Sequence, residues 1–312
     1  MRNARVRWAW GALGFFLIPT LLWGAGRSHP RYVLEFDPPI VGVVSAGDQD
    51  PPVHGTPIPA GRTLVIRCQT NLPFRVAKLY WRKKQVPFYP IQDNQWRAHL
   101  GIPVEHAPGL EKIKFYAETT RGRIFQEEVE FRILKSTAPT THVRLPKDKD
   151  KLLSSGQVRR DSDKIDAVLK STSSIRQRWQ GLFVLPATGR VSSDFGERRR
   201  YGRLPGYRAH QGMDIANKTD TPVGAPNNGV VLFSGWLKSF GFTVILDHGH
   251  GICTYYEHLR KTFVNKGDVV ETGQKLGLMG AGGLATGPHL HWSLTVHGVR
   301  VDPKEWTGKG FE

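Results

Sequence analysis

Three short segments toward the C-terminus hold side chains whose types and spacing can do chemistry: His210-Gln211-Gly212-Met213-Asp214, Tyr256-Glu257-His258-Leu259 and Gly287-Pro288-His289-Leu290-His291. Successive side chains of a β-strand point to opposite faces, so His289 and His291 project from one face and can converge, while Leu290 turns toward a core. His210 and Asp214 lie four apart and also share a face. Gly212 within that motif and the Asp-Ile-Ala-Asn run behind it predict a loop entering a short strand. Zinc accepts imidazole nitrogen and carboxylate oxygen, and a catalytic zinc site keeps three protein ligands so that water can take the fourth position. Two of the imidazoles of His258, His289 and His291 are therefore left for work other than holding metal. The bland alternative for any one of the 12 histidines is a solvated or hydrogen-bonded side chain. Several candidates at ligand spacing outweigh it, and the combination points to a hydrolytic zinc site.

More of the C-terminal region falls into a recognisable order. Phe183-Val184-Leu185-Pro186 precedes Gly189-Arg190-Val191-Ser192-Ser193-Asp194-Phe195-Gly196. After His210-x-Gly-x-Asp214 come Thr221-Pro222-Val223-Gly224-Ala225-Pro226, Asp247-His248-Gly249 and Thr254-x-Tyr256-x-His258-Leu259. Lys266-Gly267-Asp268-Val269-Val270, Gly273-Gln274 and Thr286-Gly287-Pro288-His289-Leu290-His291-Trp292 close the series. From about Gly181 to Trp306 the chain resembles peptidase family M23, the lysostaphin-type and LytM-type cell-wall endopeptidases. The resemblance implies a small antiparallel β fold, half-barrel or sandwich-like, with a groove and Zn2+ at its floor. It places the metal ligands at His210, Asp214 and His291, with water completing the tetrahedron, and the non-ligand catalytic histidines at His258 and His289. One of those two would accept a proton from water while the other stabilises the oxyanion. It also implies substrate-binding roles for Tyr256, a cleft tyrosine in the family, and for Arg198. The competing readings are a tyrosine packed on a strand face and a solvated member of the Arg198-Arg199-Arg200 run. Trp292 and Ser293 stand where an aromatic and an acidic residue are common, and Glu257 and Arg260 flank His258. None of these departures falls on an implied ligand or catalytic position.

Other signals carry less. The glycines of Ala281–Gly287 suggest a phosphate loop, but this run opens a strand and lacks a following Lys-Ser or Lys-Thr, so it reads as a turn. Gly229-Val230-Val231 and Lys266–Gln274 resemble the hairpins of biotinyl and lipoyl carriers, without the tip lysine a carrier needs. His248 and His250, set among glycines, read as turn histidines bonded to backbone.

The chain has 312 residues, with 44 Lys+Arg against 27 Asp+Glu, a net charge of +17 and a pI near 10.1. Such a balance favours an anionic partner. No nucleic-acid-binding motif accompanies it, and a carboxylate-rich peptidoglycan mesh, through its stem peptides and cross-links, fits both charge and resemblance. Arg2, Arg5 and Arg7 precede an uncharged apolar stretch, residues 8–26, that reads as an export signal or an inner-membrane anchor facing the enzyme outward, to the periplasm or cell envelope. The two cysteines, Cys68 and Cys253, fall in different expected domains, so no disulfide between them is expected.

The elements that must position the site divide into five stretches: signal or anchor over 1–30, an immunoglobulin-like β-sandwich over 31–135, a charged, partly helical connector over 136–180, the M23-like domain over 181–306 and a tail over 307–312. The sandwich rests on alternating strands at Thr63–Arg67, Arg75–Trp81, Lys112–Ala117 and Glu128–Ile133. His54, His99 and His106 read as surface residues there. In the connector a helix is expected from Asp161 to Trp179, with Ile165, Val168, Leu169 and Ile175 on its apolar face, and of two readings, a spacer or a segment lying over the active-site groove, the spacer is favoured. The chain is thus expected to be mainly all-β and to work as a zinc metalloendopeptidase cutting peptide cross-links of peptidoglycan. The alternative is a non-catalytic scaffold of the same fold that activates a cell-wall amidase. A secreted bacteriolytic protein is a further rival, although the N-terminal β domain is a poor wall-binding module.

Overall fold

The computed structural model describes residues 32–38, 44–45, 56–92, 94–171, 175–201 and 206–311. The expected signal or anchor over residues 8–26, and His54, lie outside the described residues. Among the described residues no helix is long and apolar enough to cross a membrane.

Residues 32–134 form two five-stranded sheets. Alternation drives their packing: on Gly109–Thr119 the side chains of Ile113, Phe115 and Ala117 are buried while Lys112 and Lys114 face water. With Leu34, Leu64, Ile66, Leu79, Trp81 and Ile133 they build one core between the sheets. His99 is a correction to the surface reading. It is fully buried, and its Nε2–H donates to the Phe311 carbonyl at 3.2 Å, so the tail is docked against the sandwich. His106 is half-buried and stacks on Trp81 at 5.4 Å. Neither cysteine forms a disulfide, and both are buried.

The C-terminal part is built on a ten-stranded sheet. Met213–Ala216 lies between Arg190–Ser193 and His289–Val296, and His289–Val296 in turn pairs with Ile252–Thr262. Met213, Ile215, Leu290 and Trp292 sit in the core of this sheet, so the intervening Asp214, His289 and His291 are delivered to its other face.

The connector departs from expectation. Its helices are Lys147–Ser154 and Gln157–Lys170, and Ile175 lies beyond them with 75% of its surface exposed. Nor is the segment a free spacer. Ile165 and Leu169 pack on Leu237, Ile245 and Tyr255 of the sheet. Asp161 accepts the Ser239 N–H at 2.8 Å, and Arg300 donates to Asp166 at 2.8 Å. Apolar burial and charge-assisted bonds together clamp the helix to the ten-stranded sheet. Trp179, Phe183, Trp306 and Phe311 then join Val65 of the sandwich in a shared core, which fixes the two β units against each other.

Candidate metal and catalytic site

Asp214 and His291 face each other across neighbouring strands, and His210 enters from the loop before them. Their atoms close a triangle: His210 Nε2 to Asp214 Oδ1 is 3.1 Å, His210 Nε2 to His291 Nδ1 is 3.0 Å, and His291 Nδ1 to Asp214 Oδ1 is 2.9 Å. Hydrogen-bonding at the far side of each ring sets the tautomers. His210 Nδ1–H donates to the Asp194 carbonyl at 2.8 Å, and His291 Nε2–H donates to Ser293 Oγ at 3.0 Å. The Ser293 hydroxyl hydrogen goes in turn to the Gln211 carbonyl at 2.9 Å. The nitrogens turned into the triangle are therefore lone pairs facing a carboxylate oxygen, an arrangement that repels itself until a cation sits among them. Tetrahedral zinc with bonds of about 2.0–2.1 Å would set its ligands about 3.3 Å apart, close to the triangle's edges. These residues fit zinc, and among the described residues they are the one His/Cys/Asp/Glu cluster so disposed.

Burial pushes His291 down to about 4 against the pull of Asp214. Arg199 donates to Asp214 Oδ2 and, at 2.6 Å, to Ser193 Oγ. Such outer contacts orient a ligand and fix which oxygen it presents.

His258 owes its place to a bulge. Along Ile252–Thr262, plain alternation would turn it inward with the core residue Tyr256. Instead its φ is 64°, and between the pairs Val244↔Tyr256 and Phe242↔Leu259 the register shifts. The extra residue turns the imidazole into the groove, where its ring centroid lies 4.7 Å from that of His289. The His258 N–H is held by the Phe240 carbonyl at 2.7 Å. Both rings commit Nδ1–H to backbone: His258 to Gly282 at 2.7 Å and His289 to Gly287 at 2.9 Å. Each therefore keeps Nε2 as an acceptor. Burial, reinforced by His289 and His291, holds His258 well below its ordinary value, so it stands neutral. His289 Nε2 lies 3.8 Å from Asp214 Oδ1.

Neither of the implied substrate-binding residues, Tyr256 and Arg198, is among those lining the groove. Tyr256 is fully buried in the sheet core, and its hydroxyl donates to Thr254 Oγ1 at 2.7 Å, away from the groove. Arg198 is exposed and stacks on Tyr207 at 4.6 Å, while its strand neighbour Arg199 reaches the site. His248 and His250 bond backbone carbonyls as expected, at Asn228 and Ile175. Sequence reasoning missed Arg199, Tyr255, Glu257 and Arg300. These line a cavity of about 750 Å³ with the histidines, one wall of which is the connector's Ser162 and Ile165. Alternation along Arg198–Tyr201 separates Arg199 from Arg198 and Arg200 without saying which of them faces the site. Nothing local could have found Arg300. Burial raises the Glu257 carboxyl to about 8, with Arg300 opposing and Asp214 adding to the effect.

Residues 208–303 match the family model for peptidase family M23. The chain is 36% identical over 115 residues to the peptidoglycan DD-endopeptidase ShyC of Vibrio cholerae, a match taking in 37% of this chain and 27% of that protein. It is 32% identical over 111 residues to the murein hydrolase activator EnvC of Escherichia coli, covering 35% of this chain and 26% of the relative. The chain thus spans less than a third of the length of these relatives. A crystal structure of a Pseudomonas aeruginosa protein assigned to peptidase M23 superposes with a TM-score of 0.60 at 28% identity. That likeness covers 81% of this chain and 96% of the other, and so extends beyond the metal-site domain.

Proposed function

With residues 208–303 forming a peptidase family M23 domain, we propose that the chain is a zinc-dependent endopeptidase of the cell envelope that hydrolyses peptide cross-links of peptidoglycan. The observation that carries this reading is the triangle of lone-pair atoms from His210, Asp214 and His291. These residues would hold zinc, which when bound supplies Lewis-acid activation of water and of the scissile carbonyl. The chain's own contribution is to orient and to move protons. Arg199 fixes which oxygen Asp214 turns inward, and Ser293 fixes the His291 tautomer. Nε2 of His258 or His289 accepts a proton from water; the imidazolium so formed can donate to the oxyanion or return the proton to the leaving amine. The DD-endopeptidase relative supports the substrate class, and the net charge of +17 supports an anionic polymer.

Digestion of purified peptidoglycan, with mass spectrometry of the new amine and carboxyl ends, tests the proposal. Cleavage abolished by a chelator and restored by zinc is the expected result. The likeness to an activator of murein hydrolases favours one other reading, a scaffold that binds an amidase without cutting. That reading predicts no new ends from this chain alone, with stimulation of an added amidase.

A further inference from the structure

Glu257 is 5% exposed, and among the described residues no hydrogen bond reaches its carboxylate. The polar groups nearest to it bond other partners. The closest contact is His291 Nε2 at 3.9 Å, whose hydrogen goes to Ser293 Oγ. Ser293 gives its own hydrogen to the Gln211 carbonyl. Arg300 spends Nε on the Tyr255 hydroxyl at 2.9 Å and Nη2 on Asp166 at 2.8 Å, and it makes no ion pair with Glu257. The nearby Asp161, by contrast, is satisfied by Ser239 and Gln157. The Glu257 oxygens open on the cavity and not on the packed interior, so a group that enters the cavity can complete their bonding. Glu257 lines the same cavity as Asp214, His258 and His291, so whatever binds the catalytic groove passes it. A cation entering the cavity favours the ionised form of Glu257, and a primary ammonium complements that form with three N–H donors on one charge. One carboxylate is too few oxygen ligands for a second metal.

We propose that Glu257 is a recognition site for a primary ammonium group of the peptide substrate, supplied by the side chain of a diamino-acid residue or by a free N-terminus. The proposal rests on the peptidase reading above for the identity of the substrate.

The test uses the full chain loaded with zinc, with cross-linked peptides spanning the bond identified by peptidoglycan digestion. One peptide carries both amines free, one has only the side-chain amine acetylated, one only the N-terminal amine, and one both. Binding by calorimetry, kcat/KM and zinc content are measured for the wild type and Glu257→Gln. Acetylating one of the two amines is expected to lower wild-type affinity and kcat/KM about tenfold or more, which identifies the source of the ammonium. In Glu257→Gln the ratio between free and acetylated peptides is expected to collapse toward one with zinc retained. Equal handling of all four peptides by the wild type overturns the proposal, as does an undiminished preference in Glu257→Gln. Loss of zinc from Glu257→Gln also overturns it, and would make Glu257 a support for His291. If the wild type binds the free-amine peptide preferentially through Glu257 yet cuts none of them, the recognition site stands and the peptidase reading falls.

Discussion

Arg199 engages Asp214 through Oδ2, so that the carboxylate turns only Oδ1 toward His210 and His291. The guanidinium therefore decides the denticity of the inferred ligand, and its own side chain is held by Ser193. Arg199→Ala should leave the fold intact but weaken zinc binding by about 10- to 100-fold, as loss of an outer-shell contact does. Competition with a graded series of chelators measures this. Zinc affinity equal to the wild type would show that Arg199 serves only the surrounding structure.

His291, His289 and His258 should separate by metal content. His291→Ala leaves two protein ligands and is expected to lose zinc and activity together. His289→Ala and His258→Ala should keep zinc while losing on the order of 10²- to 10⁴-fold in turnover, since each ring offers Nε2 for proton transfer or oxyanion stabilisation. Zinc analysis beside initial rates on peptidoglycan decides the assignment. Shedding of the metal by His289→Ala with retention by His291→Ala would interchange the roles.

Tyr256 offers a test of core against cleft. Its hydroxyl is buried and bonded to Thr254, so Tyr256→Phe should cost about 1 kcal/mol of stability and change kcat/KM by less than about threefold. Urea unfolding and peptidoglycan turnover give the two numbers. A large loss of activity at unchanged stability would return Tyr256 to a substrate-binding role.

Glu305 gives stability a pH dependence of known sign. Burial raises its carboxyl to about 7 against the opposing effect of Arg62, while Oε2 accepts the Thr63 N–H at 3.0 Å. Because the folded-state value exceeds the unfolded one of about 4.3, the stabilising contribution is complete below the unfolded value. It is lost as pH rises through about 7. Glu305→Gln keeps an acceptor for Thr63 without the ionisation. Its Tm should match the wild type near pH 4 and exceed it near pH 8, by an amount corresponding to at most about 4 kcal/mol. Thermal melts at the two pH values check this, and a difference independent of pH would remove Glu305 as its source.

Much of the site is written in local spacing. The two-residue period of a strand is enough to send His289 and His291 to one face and Leu290 to the core, and the order of the segments was enough to carry a family resemblance. Three of the four sandwich strands were legible for the same reason, since burial on one face imposes alternation; Thr63–Thr70, buried on both faces at its start, was legible from its apolar run. What the tertiary structure alone decided depends on neighbours distant in sequence. Period counting would send His258 to the core; a bulge, visible only against the partner strand, turns it into the groove. Arg198 and Arg199 are the same residue type in one charged run, and only the pairing of Arg198–Tyr201 with its neighbours determines which one reaches Asp214. The connector's polar composition suggested a spacer because few of its residues are apolar. Ile165 and Leu169, with Asp161 capturing a remote backbone N–H, suffice to seat it against the cavity. Glu257 shows the same limit: its opposition to His291 and its lack of a donor arise from strand register and from the hydrogen bonds of Ser293 and Arg300, none of which is encoded in the residues flanking it.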